Sequence, residues 1–159
     1  MDAGKHNLDT LWRNVKGRLS GGQRGVTKPV PKRKKTPSTT WNEDWLYAAS
    51  PTAPDEPVGS HPGKWMLFVA GDRIDETWET VSKSVEAGHL SDFAKVSTVA
   101  AQESATRPHV ICVYYPDHRD QTEVMRVRER LRALGFERKI HFKADEMTER
   151  GQAGSLFSA

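Results

Sequence analysis

The chain reads Gly63-Lys64-Trp65-Met66-Leu67-Phe68-Val69-Ala70-Gly71 at its strongest strand pattern, and this stretch decides the fold. Six of the seven residues between the two glycines are apolar, which predicts a β-strand over Lys64–Ala70 with a glycine at each end. The exception is a lysine. A cation in a strand that otherwise resembles core indicates a sheet with one buried face and one face open to a ligand.

The same arrangement of strand, helix and strand occurs twice after Gly63. In the first unit a helix that begins at Asp72 follows the quoted strand. In the second unit the helical stretch starts at His118, and the helix itself is predicted over about Asp120 to Leu134. The predicted strands are Lys64–Ala70, Phe93–Val99, His109–Tyr115 and Arg138–Lys143.

Both predicted helices carry an apolar stripe at helical spacing, which is typical of a face packed on a core. The stripes are Ile74, Trp78, Val81 and Val85 in the first helix, and Val124, Val127, Leu131 and Leu134 in the second. Gly88 and Gly135 follow as helix terminators. The second stripe is flanked by Arg126, Arg128, Arg130 and Arg132, a pattern typical of a solvated helix surface.

Side chains alternate across a strand, so each strand can be sorted into a helix-facing side and an open side. The third strand is apolar on both sides and is predicted to be central. If both helices cover one face, the opposite face collects Lys64, Met66, Phe68, Phe93, Lys95, Lys139, His141 and Lys143. Lysines pair with phosphate oxygens and aromatic faces stack on bases, so this mixture favours a phosphorylated ligand. The alternative is that an aromatic segment covers the face and the lysines only rim it.

Charge divides the chain. Residues 1–40 hold ten Lys or Arg and two Asp, whereas the 159-residue chain has a net charge of only +3 and a mean hydropathy of −0.70. We therefore expect a disordered basic arm over 1–40, an aromatic anchor and a Pro/Gly-rich loop over 41–63, and an α+β domain over 64–159. Attraction to nucleic acid would then belong to the arm.

The arm contains four adjacent cations, Lys32, Arg33, Lys34 and Lys35, between prolines. Such a run serves nuclear import or phosphate-backbone contact, and it also occurs as a plain solvated linker. After it, Trp41–Tyr47 is predicted to pack on the domain as a first strand or an anchor, and Ser50–Gly63 to form a loop that reaches over the sheet as a flap.

The cysteine content and the hydropathy pattern limit the cellular compartments in which the protein is expected. Cys112 is the only cysteine and lies in an apolar strand, which favours a buried core residue in a reducing setting. No apolar run is long enough for a signal peptide or a membrane span, so we expect a cytoplasmic protein, or a nuclear one in a eukaryotic cell. No spacing typical of a metal site or a cofactor loop is present, so no metal and no cofactor are expected.

Several motifs in order resemble the basophilic-leukaemia-expressed protein family over about Trp41 to Met147. They are Gly63–Val69, Asp75-Glu76-Thr77-Trp78, Ala94-Lys95-Val96-Ser97-Thr98, Val110–Tyr114 with Asp117, and Val127–Gly135. The family's fold is similar to that of the cap-binding translation initiation factors. The resemblance implies a curved, mainly antiparallel sheet backed by two main helices, with the open face concave.

Relatives of that family carry the label phosphothreonine lyase domain proteins, which implies a β-elimination with a lysine base. Lys95 in Ala94-Lys95-Val96 resembles that base, and Lys64 resembles the lysine of a Lys-X-His strand. Met66 stands where those enzymes have the acid, and methionine cannot donate a proton. His141 is the candidate replacement on the fourth strand.

Three functions remain open from the sequence. The first is a binding module for a phosphorylated ligand, either nucleotide or RNA or a phosphopeptide, held by Lys64, Lys95, Lys139 and Lys143 with Phe68 and His141 on the organic part. The second is a phosphothreonine-lyase-type eliminase with Lys95 as base. The third is an adaptor that its basic arm targets to a protein partner.

Overall fold

The computed structural model describes residues 34–54 and 61–159. The strands are β1 Trp45–Ala49, β2 Gly63–Val69, β3 Phe93–Ser97, β4 His109–Tyr115, β5 His141–Ala144 and β6 Phe157–Ser158. The helices are α1 Ile74–Glu86, α2 Gln121–Ala133 and the short α3 Asp145–Glu149, with 3-10 turns at Pro37–Thr39 and Val99–Ala101. The predicted α+β class is confirmed.

The six strands form one curved antiparallel sheet in the order β1-β3-β4-β2-β5-β6. The pairing of β2 with β4 runs the full length of both strands, from Gly63↔Tyr115 to Val69↔His109. Strand β4 has a neighbour on each side, as its continuous apolar run predicts.

The core lies between one face of this sheet and the two long helices. Trp65 and Leu67 of β2 pack there with both predicted helix stripes, of which only Leu134 is partly exposed. Buried sheet residues on the same side are Leu46, Ala48, Ala94, Val96, Ile111, Val113 and Phe142. The opposite face therefore carries no long helix in the described part of the chain.

The two helices begin differently. Asp120 is the N-cap of α2, and its carboxylate accepts a hydrogen bond from the Glu123 backbone N–H at 3.2 Å. The expected helix start at Asp72 is two residues too early, because α1 begins at Ile74 after its N-cap residue Arg73. Gly88 and Gly135 follow the two helices with φ of +76° and +102°, a backbone conformation that favours glycine.

Residues before β1 pack on α1. The Asp75 carboxylate accepts hydrogen bonds from the Ser38 backbone N–H at 2.9 Å and from the Ser38 hydroxyl at 2.5 Å. Thr40 is buried, whereas Trp41 is 75% exposed and does not anchor the segment. The described structure thus includes residues 34–40 of the predicted arm, while residues 1–33, with Lys32 and Arg33, lie outside the described residues. None of the helices in the two described ranges is long and apolar enough to cross a membrane.

Strand β5 begins at His141, three residues later than expected. Before it, Ile140 exchanges two backbone hydrogen bonds with Ala159, and the carbonyl of Arg138 accepts from the Arg128 guanidinium. Lys139 is therefore exposed and outside the ladder.

Arg128 is completely buried, so the expectation of a solvated surface is wrong for this arginine. Its guanidinium donates to the carbonyls of Ala159 at 2.9 Å, Phe136 at 2.8 Å and Arg138 at 2.8 Å. It thereby ties α2 to the segment around β5 and to the last residue of the chain. Its partners are backbone atoms, which a sequence pattern cannot indicate.

We predict that Arg128→Met lowers the free energy of unfolding by about 3 kcal/mol, because three carbonyls that accept from this buried guanidinium lose their donor. The measurement is urea denaturation followed by circular dichroism. Arg126→Met on the exposed side of α2 is the matched control and should change stability by less than about 0.5 kcal/mol. Equal effects of the two substitutions would contradict the structural role of Arg128.

Candidate functional site: the open sheet face around Lys95

The open face is the side of the sheet opposite α1 and α2. Its central row crosses the sheet through register partners, Tyr47↔Lys95, Lys95↔Cys112, Cys112↔Met66 and Met66↔His141. A second row contains Ala49, Phe93, Tyr114, Lys64 and Lys143. The predicted sorting of the strands by face thus places Lys95, Met66 and His141 in one line.

Lys95 lies at the centre of an aromatic environment. Its Nζ is 4.0 Å from the centroid of the Trp45 ring and 5.8 Å from that of Tyr114. No carboxylate lies within ion-pair distance of it among residues 34–54 and 61–159. Burial lowers the pKa of Lys95 below its ordinary value, and the nearby Lys64 cation lowers it further against the opposing effect of Asp145. Lys95 is thus an unneutralised cation that would gain from an anion.

Lys64 is buried and already neutralised. Its Nζ lies 2.8 Å from an Asp145 carboxylate oxygen and 3.2 Å from the Thr148 hydroxyl, and both side chains of the ion pair are nearly inaccessible. Breaking such a pair leaves a buried charge without a partner, which is strongly unfavourable. Lys64 therefore fastens α3 to the sheet, and its charge is compensated from within the protein.

Tyr114 was not singled out in the sequence and lies between the two lysines. Lys64 Nζ is 5.7 Å from its ring centroid, nearly the same distance as Lys95 Nζ. The side chain is buried, and its hydroxyl has no hydrogen-bond partner within residues 34–54 and 61–159. Burial raises the pKa of Tyr114 well above its ordinary value, so the hydroxyl stays protonated and can donate a hydrogen bond. Its strand position, two residues after Cys112, would have placed it on this face.

His141 lies at the far end of the central row. It is exposed, and its Nδ1 is 2.6 Å from the Ser158 hydroxyl and 3.2 Å from that of Ser155. Three strand spacings separate it from Lys95, or about 14 Å between Cα atoms. The two residues are thus not in contact, and only a ligand that spans the face could touch both.

The other predicted site residues are spread over the face. Lys143 is opposite Lys64 in the ladder, is half-buried and has no ion-pair partner within the described ranges. Phe68 is 61% exposed at the end of β2. Lys139 precedes β5 and has no register partner in the sheet. Lys35 forms a surface ion pair with Glu43 at 2.8 Å.

Part of the open face is covered by the segment that follows β1. Ala53 is buried and packs in one cluster with Phe93, Cys112 and Tyr114, which agrees with the predicted reach of this loop over the sheet. Residues 55–60, in the middle of the predicted flap, lie outside the described residues. Cys112 is buried as expected, and burial raises the pKa of its thiol. Accessible positions remain around Trp45, Lys95 and Phe68.

We predict that Lys95→Met increases stability more at pH 7 than at pH 10.5. The folded pKa of Lys95 is lower than the unfolded value near 10.5, so the unfolded chain binds more protons and wild-type stability rises with pH in the window between the two values. Urea denaturation at several pH values measures this difference. A difference between wild type and variant that is independent of pH would contradict the desolvated state of Lys95.

One family comparison covers this site. The profile of a family described as Basophilic leukemia-expressed protein Bles03 matches residues 56–150. The matched segment extends from before β2 beyond α3 and includes Lys64, Lys95, Tyr114 and Asp145. It leaves out β1, which carries Trp45.

Proposed function

The chain belongs to the Bles03 family, and from the geometry of its open face we propose that it binds a phosphorylated ligand there, with Lys95 as the cation that meets the phosphate. The observation that carries this proposal is the position of Lys95, half-buried between aromatic rings without a carboxylate partner in the described residues. A bound anion would offset the cost of desolvating the ammonium.

The chemistry around Lys95 supports an oxygen-rich anion. An ammonium offers three hydrogen-bond donors, and the Lys95 amine lies 5.8 Å from the centre of the Tyr114 ring, which carries a protonated hydroxyl. Hydrogen bonds from such donors to phosphate oxygens are charge-assisted and therefore strong. Lys143 offers a second amine without an ion-pair partner in the described residues, whereas the charge of Lys64 is neutralised by Asp145.

The neighbouring apolar groups suit the organic part of such a ligand. Phe68 is exposed, and Trp45 presents its indole beside Lys95. A base or a peptide side chain can stack on groups of this kind. His141 at the end of the central row would contact a ligand long enough to cross the sheet.

We predict that Lys95→Met weakens binding of a phosphothreonine peptide or of adenosine monophosphate by about tenfold or more, because one charge-assisted contact is lost. Isothermal titration calorimetry with both probes and with inorganic phosphate measures the loss and shows which organic group adds affinity. Lys139→Met removes an exposed lysine outside the ladder and serves as the control. Equal weakening by both substitutions would show a nonspecific charge effect and contradict the site.

RNA needs a separate comparison because the basic arm could bind it alone. Substituting Lys32 and Arg33 by glutamine in the full chain removes two arm charges and leaves the open face intact. If this change reduces binding of a short single-stranded RNA while Lys95→Met does not, the RNA contact belongs to the arm and not to the open face.

A second candidate function is β-elimination of phosphate from phosphothreonine, which the lowered pKa of Lys95 favours. An uncharged Lys95 amine would take the Cα proton, the C–H electron pair would form the Cα=Cβ bond, and the Cβ–O bond would break to release phosphate. The leaving phosphate needs a proton, which solvent water would supply, because the sequence-predicted donor His141 lies three strand spacings from Lys95.

We predict for this candidate that mass spectrometry detects loss of phosphoric acid from a phosphothreonine peptide with wild-type protein and none with Lys95→Met. Lys139→Met is again the control and should retain the activity. An unchanged peptide mass at high protein concentration would reject the eliminase and leave the binding function unaffected.

A further inference from the structure

The sheet has a gap between β2 and β5. Their register ends at Met66↔His141, although β2 continues to Val69. The Asp145 N–H donates a hydrogen bond to the Pro62 carbonyl, so Pro62 directs its carbonyl toward the β5 side. Because hydrogen-bonded positions alternate along an antiparallel strand, the even-numbered residues of β2 direct their backbone groups toward β5. The next such position is Phe68. Among the described residues no backbone hydrogen bond joins Phe68 to Lys139, which would be its partner in the continued ladder.

A groove of about 390 Å³ lies beside this gap. Its floor and walls are the end of β2, the first turns of α1 and the segment between α2 and β5. Apolar lining comes from Leu67, Val69, Phe136 and Ile140, and Phe68 lies at its margin. The gap therefore combines an unpaired stretch of strand with an apolar depression next to it.

The charge around the groove is predominantly positive. Arg73 and Arg138 both line it, and neither guanidinium has an ion-pair or hydrogen-bond partner in the described part of the chain. Glu137 is the acidic group in the lining. An occupant with carboxylate side chains would complement the two arginines.

We propose that this gap binds an extended acidic segment of a partner protein as an added strand along Leu67–Val69. The backbone of Phe68 would pair with the segment, one of its apolar side chains would fill the groove, and its carboxylates would lie near Arg73 and Arg138. Strand addition of this kind takes its affinity from main-chain hydrogen bonds and its specificity from the pockets for alternate side chains.

The charge also argues against this chain's own N-terminal residues as the occupant. Residues 1–33 hold eight Lys or Arg and two Asp, so they would place further cations beside two unpaired arginines. The proposal concerns the edge of β2 beyond its pairing with β5, whereas Lys95 lies two strands away on β3, and it does not depend on phosphate binding.

The test uses the full chain and two synthetic nine-residue peptides with alternating apolar and charged residues, one with glutamates and the other with lysines. Fluorescence polarisation measures affinity, and two-dimensional NMR of the ¹⁵N-labelled protein locates the contact. We expect the glutamate peptide to bind more tightly and to shift the amide signals of Leu67, Phe68 and Val69. Equal affinity for both peptides, or shifts confined to other residues, would overturn the proposal.

Backbone pairing is tested separately with peptides methylated on alternate amide nitrogens. Methylating the set that faces β2 should abolish binding, whereas methylating the other set should leave it nearly unchanged, because only alternate amides pair with one neighbouring strand. Equal tolerance of both patterns would overturn the strand-addition mode.

Two arginine substitutions test the charge. Arg138→Ala should weaken binding of the glutamate peptide about three- to tenfold. Arg150→Ala should not, because it removes an exposed arginine that follows α3 and has no ion-pair partner among the described residues. Lys95→Met should leave this binding unchanged, which separates the groove from the phosphate site. Tighter binding of a peptide of residues 1–33 than of the glutamate peptide would overturn the choice of an acidic partner.

Discussion

The register of β2 is the constraint on which the rest of the molecule depends. This strand lies between β4 and β5, and its alternate side chains are committed to opposite faces. Trp65 and Leu67 enter the core, whereas Lys64, Met66 and Phe68 face away from the helices. A slip of one residue would exchange the two sets and place a lysine in the core, so burial of one face strongly favours the observed register.

Two lysines on the open face differ in whether their charge is neutralised. Lys64 is buried by α3, which supplies Asp145 and neutralises it at 2.8 Å. Lys95, two strands away, lies among aromatic groups without such a partner in the described residues, and burial lowers its pKa. The charge of Lys64 is thus neutralised within the protein, whereas a bound anion would stabilise the charge of Lys95. The missing carboxylate at Lys95 is therefore a more specific feature than the general basic character of the face.

Periodicity predicted most of the fold because it reports which side of each element is buried. The stripes of α1 and α2 and the faces of β2 and β3 follow directly from spacing. The contacts of Arg128 could not be predicted, because its partners are backbone carbonyls that have no residue signature. Asp145 was missed for another reason, since it reaches Lys64 across 81 positions of sequence through the turn from β5 into α3. The gap beside Phe68 depends on where β5 leaves the ladder, which is a tertiary effect.

Trp45 is the part of the site that lies outside the segment matched by the family profile. The floor beneath Lys95 comes from β2, β3 and β4, all within the segment that the family profile matches, whereas the indole beside the amine comes from β1, before that segment begins at residue 56. A related chain with the same floor and a different residue in place of Trp45 would keep the cation and lose the flat surface beside it. If the open face binds a phosphorylated ligand as proposed, such a change would alter selectivity for the organic group and leave the contact of Lys95 with the phosphate in place.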